Sequence, residues 1–242
     1  MALQIDRAIS NGISRSVSPV GITLMVLTFL YVGIFTSSVN TIVAGALPPE
    51  IQQEAQIGLT LPLSSVLAAG LALAALLFGI ALYIAAARAF TRQGSDSGTV
   101  TGSLFTRRIG RALLTAVGAN IVVGIATFFG FVLLVIPGIF LMVSFAFVVF
   151  AIAVEDRRLI ASLRRSWALS RGNRWRLAGL LLLVGVVTGL VSSIGSLASF
   201  VSPGIGQLVT FLVTAPLAIL GYGIIADAYL QIRDEQSDGG QV

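Results

Sequence analysis

The sequence predicts an all-α integral membrane protein, with six transmembrane helices arranged as three hairpins and amphipathic helices lying in the cytoplasmic interface. Three observations predict it. First, only 10% of the 242 residues are charged and 56% are hydrophobic, with a mean hydropathy of +0.98, whereas soluble domains carry about 25% charged residues. Second, six apolar runs occur, at roughly 20–46, 63–87, 109–136, 139–154, 177–200 and 205–230. Most are long enough to cross a hydrocarbon core of about 30 Å at about 1.5 Å per residue. Third, all 15 basic residues are arginine, and none lies in 47–62, 137–138 or 201–204. They collect in 1–19, 88–108, 155–176 and 231–242, with Arg111 one turn into its helix and able to snorkel back. The positive-inside rule makes that side cytoplasmic and puts both termini there, in a multi-pass protein of the cell membrane.

The elements follow in order. Ile5, Ile9 and Ile13 share a helical face, which predicts an interfacial helix ending before Pro19. Ala44-Gly45-Ala46 reads as a small-x-small cleavage site, but the apolar run before it exceeds a signal-peptide core of about 7–15 residues, so the first span is expected to be uncleaved. Pro48, Pro49 and Glu50 are placed to open a short interfacial helix in loop 47–62. Residues 95–103, SDSGTVTGS, read as a flexible cytoplasmic loop. Pro137-Gly138 and Pro203-Gly204 read as tight turns. The fourth run has 16 residues, so it needs one more turn, with Glu155 and Asp156 at the interface. Gly185, Gly189 and Ser193 form a small-xxx-small stripe of the kind that lets helices approach closely. The whole chain, 1–242, reads as a single membrane domain with a disordered polar tail at 231–242.

Composition also removes function classes. Without cysteine there is no disulfide, thiolate metal site or thiol nucleophile. Without histidine there is no imidazole base or ligand, and without lysine no Schiff base or GxxxxGK phosphate loop. The expectation is therefore a non-enzymatic protein with no cofactor and no metal site. The pI of 10.7 does not predict nucleic-acid binding, because topology explains where the arginines lie.

Seven arginines fall within the 22 residues from Glu155 to Arg176. Leu159, Leu163 and Trp167 are spaced by four and share a face with Ser166 and Ser170, flanked by arginine. This predicts an amphipathic helix with its Leu and Trp in lipid and its Arg at headgroup level. Each Arg near an anionic leaflet contributes about 1 kcal/mol. Arg157, Arg158, Arg164, Arg165, Arg171, Arg174 and Arg176, with Trp167, are the candidate site for anionic headgroups or for a membrane or cytoplasmic protein partner. The plainer alternative is an orientation signal and linker. Two polar residues lie inside the apolar runs. Asn120 is expected to make a helix–helix hydrogen bond, and Asp227 to pair with Arg111 or Arg88. A transporter or channel for a small or lipidic solute is the alternative function, with both residues lining its path.

Residues 136–183, IPGIFLMVSFAFVVFAIAVEDRRLIASLRRSWALSRGNRWRLAGLLLL, carry a more specific pattern. Pro137-Gly138, an apolar helix, Glu155, then Ser166-Trp167-x-Leu169 and Gly172 resemble the membrane-domain family of glycerophosphoryl diester phosphodiesterases and its uncharacterised six-helix relatives. The lysine-free composition and the N-terminal RAISNGISRS are similar to those of haloarchaeal members. In some members the membrane domain accompanies a separate catalytic domain that hydrolyses glycerophosphodiesters, and this chain has neither room nor histidine for one. The resemblance therefore implies a membrane partner or scaffold.

Overall fold

A computed structural model of the chain describes residues 3–48, 50–51, 57–92 and 108–238. The short helix expected at Pro48–Glu50 falls partly outside these residues, and the loop at 95–103 falls wholly outside them. The described residues form nine α-helices that we number in chain order: α1 (Ile5–Ser16), α2 (Pro19–Ala46), α3 (Ser65–Phe90), α4 (Ile109–Leu133), α5 (Val135–Ser144), α6 (Val148–Ala153), α7 (Leu159–Ser170), α8 (Arg174–Ala198) and α9 (Pro203–Asp238). Six spans are long and apolar enough to cross a membrane: α2, α3, α4, α5 with α6, α8 and α9.

Local chemistry explains where the spans begin. Ser18, Ser64 and Ser202 stand just before α2, α3 and α9, and each hydroxyl accepts the N–H three residues on, from Gly21 (3.2 Å), Leu67 (3.4 Å) and Ile205 (3.2 Å). Proline follows Ser18 and Ser202, at the first helical position, where its missing N–H costs nothing.

The Pro137 turn lies elsewhere than expected. The chain turns at Leu134, which is extended (φ −164°, ψ 150°), and Pro137 falls in the first turn of α5. That placement is available because a first-turn residue needs no intrahelical donor. Gly138 then permits close packing of α5 along α4, since a Cβ there would meet the Phe131 ring at 2.5 Å.

The fourth span also departs from expectation, because it is two helices rather than one. Between Ser144 and Val148 the N–H groups of Ala146 and Val148 reach back only three residues, to Val143 (3.4 Å) and Phe145 (3.2 Å). The sequence SFAFV contains no Gly or Pro that would mark a break.

The fold divides into two units. The first comprises 1–22, 80–185 and 220–242, and the second 23–79 and 186–219. Every arginine among the described residues belongs to the first. Its core is aromatic: Phe150 stacks on Tyr222 (4.9 Å) and Tyr229 (5.2 Å), and Phe147 meets Tyr229 at 5.8 Å. Alanines 85–87 of α3 and Ala226 and Ala228 of α9 are fully buried, as expected where helix backbones approach closely. The expected stripe at Gly185, Gly189 and Ser193 does not pack in this way. All three are exposed, and a Cβ on either glycine would meet nothing within 4 Å. Nor does α9 stop near 230, for it continues as helix to Asp238.

The second unit holds a polar clamp that hydropathy does not reveal. Gln207 Oε1 accepts from the Leu59 N–H (2.5 Å) and from Asn40 Nδ2 (3.2 Å), while Asn40 also donates to the Leu59 carbonyl (3.1 Å). Thr41 Oγ1 accepts from the Leu61 N–H at 2.8 Å. Residues 59–61 are thereby tied to α2 and α9. Gln207→Leu removes the shared acceptor, and we expect a loss of about 1–3 kcal/mol. Hydrogen exchange should rise at residues 57–61 while the peptides of the first unit stay protected.

Candidate functional site

The arginine-rich segment 155–176 is built around the break in the fourth span. At the break, the Ser144 carbonyl and the Phe147 N–H lose their helical partners. The Ser166 hydroxyl serves both, donating to Ser144 O (2.8 Å) and accepting from Phe147 N (3.2 Å). Ser170 Oγ also donates to Ser144 O, at 3.4 Å. An orphaned backbone group in an apolar setting costs several kcal/mol, so these serines make the break tolerable. They also seat α7, which buries Ser162, Ser166, Leu169 and Ser170. The buried stripe is thus small and polar, and Leu159, Leu163 and Trp167 are half-buried.

Trp167 packs edge-on to Phe140 of α5 (5.5 Å) and against Phe145 (5.8 Å). The Arg174 guanidinium lies over both Phe140 (4.4 Å) and Trp167 (4.5 Å), a cation–π arrangement worth about 0.5–2 kcal/mol. Between α7 and α8 the chain makes a type II turn. Arg171 sits at φ −62°, ψ 129°, Gly172 at φ +90°, and the Asn173 N–H returns to Ser170 O at 3.2 Å. That left-handed position suits glycine and strains other residues.

Glu155 gathers the other arginines. Its carboxylate, 16% exposed, accepts from Tyr229 Oη (2.8 Å), Arg157 Nε (2.5 Å) and Arg165 Nε (3.1 Å). Burial raises its pKa, but the hydrogen bonds from Tyr229, Arg157 and Arg165 and the Arg165 charge outweigh that and hold it below the usual carboxylate value. Arg165 also donates to Gln236 Oε1 (3.0 Å), and Gln236 Nε2 donates to Ala168 O (3.3 Å). These contacts keep the end of α9 helical where composition suggested a disordered tail.

The seven arginines of the segment therefore have different tasks. Arg157 and Arg165 hold Glu155, Arg174 caps the aromatic pair, and Arg176 donates to Leu3 O at 3.4 Å. Arg158, Arg164 and Arg171 are exposed and have no partner among the described residues.

The two intramembrane polar residues also differ from expectation. Asn120 is exposed, and its amide donates to Ala116 O of its own helix (2.9 Å) rather than to a neighbouring helix. Asp227, 2% exposed, pairs with Arg15 of α1 (3.3 Å) and accepts from Asn11 (3.3 Å) and Gln231 (2.8 Å). The expected partners are engaged elsewhere, Arg88 donating to Ala153 O (3.0 Å) and Arg111 to Asp156 O (3.2 Å). Arg15 reaches Asp227 because α1 buries Ala8, Gly12 and Ser16 in the first unit, and it also donates to Phe90 O. Sequence reasoning missed Tyr229, Arg15 and Gln236, which lie far along the chain from their partners. The only available hint was polar residues crowding the end of the last span.

Two outcomes are expected from this geometry. Ser166→Ala leaves a backbone N–H without an acceptor and a carbonyl with one long bond, and should lower stability by about 1–3 kcal/mol in denaturant unfolding of the solubilised protein. Glu155 should make stability acid-sensitive. Its folded pKa lies below the unfolded value, so its contribution is full above the unfolded pKa and is lost as pH falls through the folded one. Glu155→Gln should be less stable than the parent at neutral pH, and the gap should close as pH falls through the folded pKa of Glu155.

No curated protein and no solved structure matches the chain. A family model matches residues 3–232, nearly the whole length, and the chain belongs to that family, described as Domain of unknown function (DUF7847).

Proposed function

We propose that the protein is a non-enzymatic scaffold of the cell membrane whose arginine-bearing face holds anionic lipid headgroups, with both termini cytoplasmic. One observation carries the reading. After internal structure has used Arg157, Arg165, Arg174 and Arg176, three exposed cations remain on and beside one helix, Arg158, Arg164 and Arg171, with no partner among the described residues. Ile160 and Trp175, 64% and 91% exposed, lie beside them. Exposed apolar groups among arginines suit the boundary between lipid and water. The segment also joins the end of one span, Ala153, to the start of another, Arg174, which supports a position at that boundary. In this reading α1 and α7 are the interfacial amphipathic helices.

Kinship with the membrane domains of glycerophosphoryl diester phosphodiesterases belongs to the proposal. It is supported by Pro137, Gly138, Glu155, Ser166, Trp167, Leu169 and Gly172 as they stand in the sequence. The scaffold reading is favoured over a solute path because Asn120 is bonded within its own helix and Asp227 is held by three side chains.

The test is Arg158→Gln/Arg164→Gln/Arg171→Gln in nanodiscs of mixed phosphatidylglycerol and phosphatidylcholine. We expect a loss of about 1 kcal/mol of headgroup attraction per arginine, read as reduced phosphatidylglycerol enrichment around the protein, with the difference shrinking at high salt. Unchanged enrichment would refute the lipid role, and a protein lost from the mutant alone would assign these arginines to a protein partner.

A further inference from the structure

We propose that a separate cleft at the start of α4 binds the phosphate of one anionic lipid. The proposal rests on the reading of the arginine-bearing face as the headgroup side, but it uses different residues from the exposed face of α7.

Arg108, Arg111 and Arg157 line this cleft together with Thr115 and Asp156, and the buried side chains of Ala112 and Ile152 also line it. Three arginines and one acidic residue line the cleft, and Glu155 beside it holds Arg157, so the place keeps a net positive charge that attracts an anion. Two of the arginines are aimed by their own bonds. Arg111 Nη2 donates to Asp156 O (3.2 Å), and Arg157 Nε donates to Glu155 (2.5 Å). Among the described residues, Arg108 and both Nη groups of Arg157 have no partner. A guanidinium fork matches two phosphate oxygens at once.

The backbone bears on the same place. Among the described residues, the non-glycine positions with left-handed φ are Arg108 (46°) and Asp156 (52°), and both line this cleft. Such conformations are held at a cost and gather at ligand sites.

Depth and size select the ligand. The cleft lies where one span begins, at Ile109, and another ends, at Ala153, which is the level of lipid phosphates rather than of acyl chains. The cleft is partly open and its space is about 10 Å³, room for about one water-sized group. It therefore takes a phosphoryl oxygen of a larger molecule whose remainder lies outside. A phosphodiester whose diacylglycerol tail continues into the bilayer meets these conditions.

The full chain in neutral detergent is titrated with short-chain phosphatidylglycerol, and separately with inorganic phosphate, by native mass spectrometry. We expect one saturable phosphatidylglycerol per chain. Arg111→Gln should weaken it about tenfold, the loss of one charge-assisted contact. Arg158→Gln/Arg164→Gln/Arg171→Gln should leave it within about twofold, because those residues lie outside the cleft. Should Arg111→Gln fail to fold, Arg108→Gln, which removes an exposed and unpaired side chain, is expected to give the same weakening. Absence of a saturable site, or unchanged affinity in a folded Arg111→Gln or Arg108→Gln, would overturn the proposal. So would inorganic phosphate binding as tightly as the lipid, which would make the cleft a site for soluble phosphate. Loss of the site in the α7 triple variant alone would assign the lipid to that helix and refute the cleft while leaving the scaffold reading intact.

Discussion

A single hydroxyl, Ser166 Oγ, holds both backbone groups released where the fourth span breaks. An apolar medium has no water to replace such a partner, so the break and the serine depend on each other. α5 packs along α4, while Phe147 in the break and Phe150 of α6 meet the tyrosines of α9. The serine brings α7 with it, and α7 brings Trp167, Arg174 and the arginines that hold Glu155. Glu155 in turn fixes Tyr229, and Gln236 fixes the end of α9.

This dependence gives the residues of the Ser-Trp-x-Leu stretch distinct physical roles. Ser166 closes the backbone, Trp167 receives a guanidinium, Leu169 is fully buried and Gly172 adopts a left-handed turn. Each acts within the first unit, so in this structure the motif maintains the fold. Arg157 and Arg158 are adjacent in sequence, yet one closes on Glu155 and the other stays open. A count of positive charge cannot make that distinction.

Much of the fold was legible in the sequence. Six spans could be located because apolar length is a local property, and Ser18-Pro19 and Ser202-Pro203 mark helix starts by their own chemistry. The break at 145–147 was not legible, because its cause, Ser166, lies about twenty residues away and SFAFV contains no breaker. The partner of Asp227 was hidden for a similar reason, since Arg15 arrives on a helix more than two hundred residues earlier. Helical spacing put Ser166 and Ser170 on one face with Leu159, Leu163 and Trp167. In the structure the serines are the buried members of that face and the larger side chains are half-buried, because close approach of backbones favours small residues. Of the candidate site, the segment was legible and the division of work among its arginines was not.

The most direct test is the hydrogen-exchange rate of the Phe147 amide in the solubilised full-length protein, resolved by NMR or by overlapping peptides across 143–150. If Ser166 closes the break, this amide should be protected as strongly as those within α6. Exchange at the rate of an open loop, with α6 still protected, would show that the hydroxyl does not hold the break and would contradict the account.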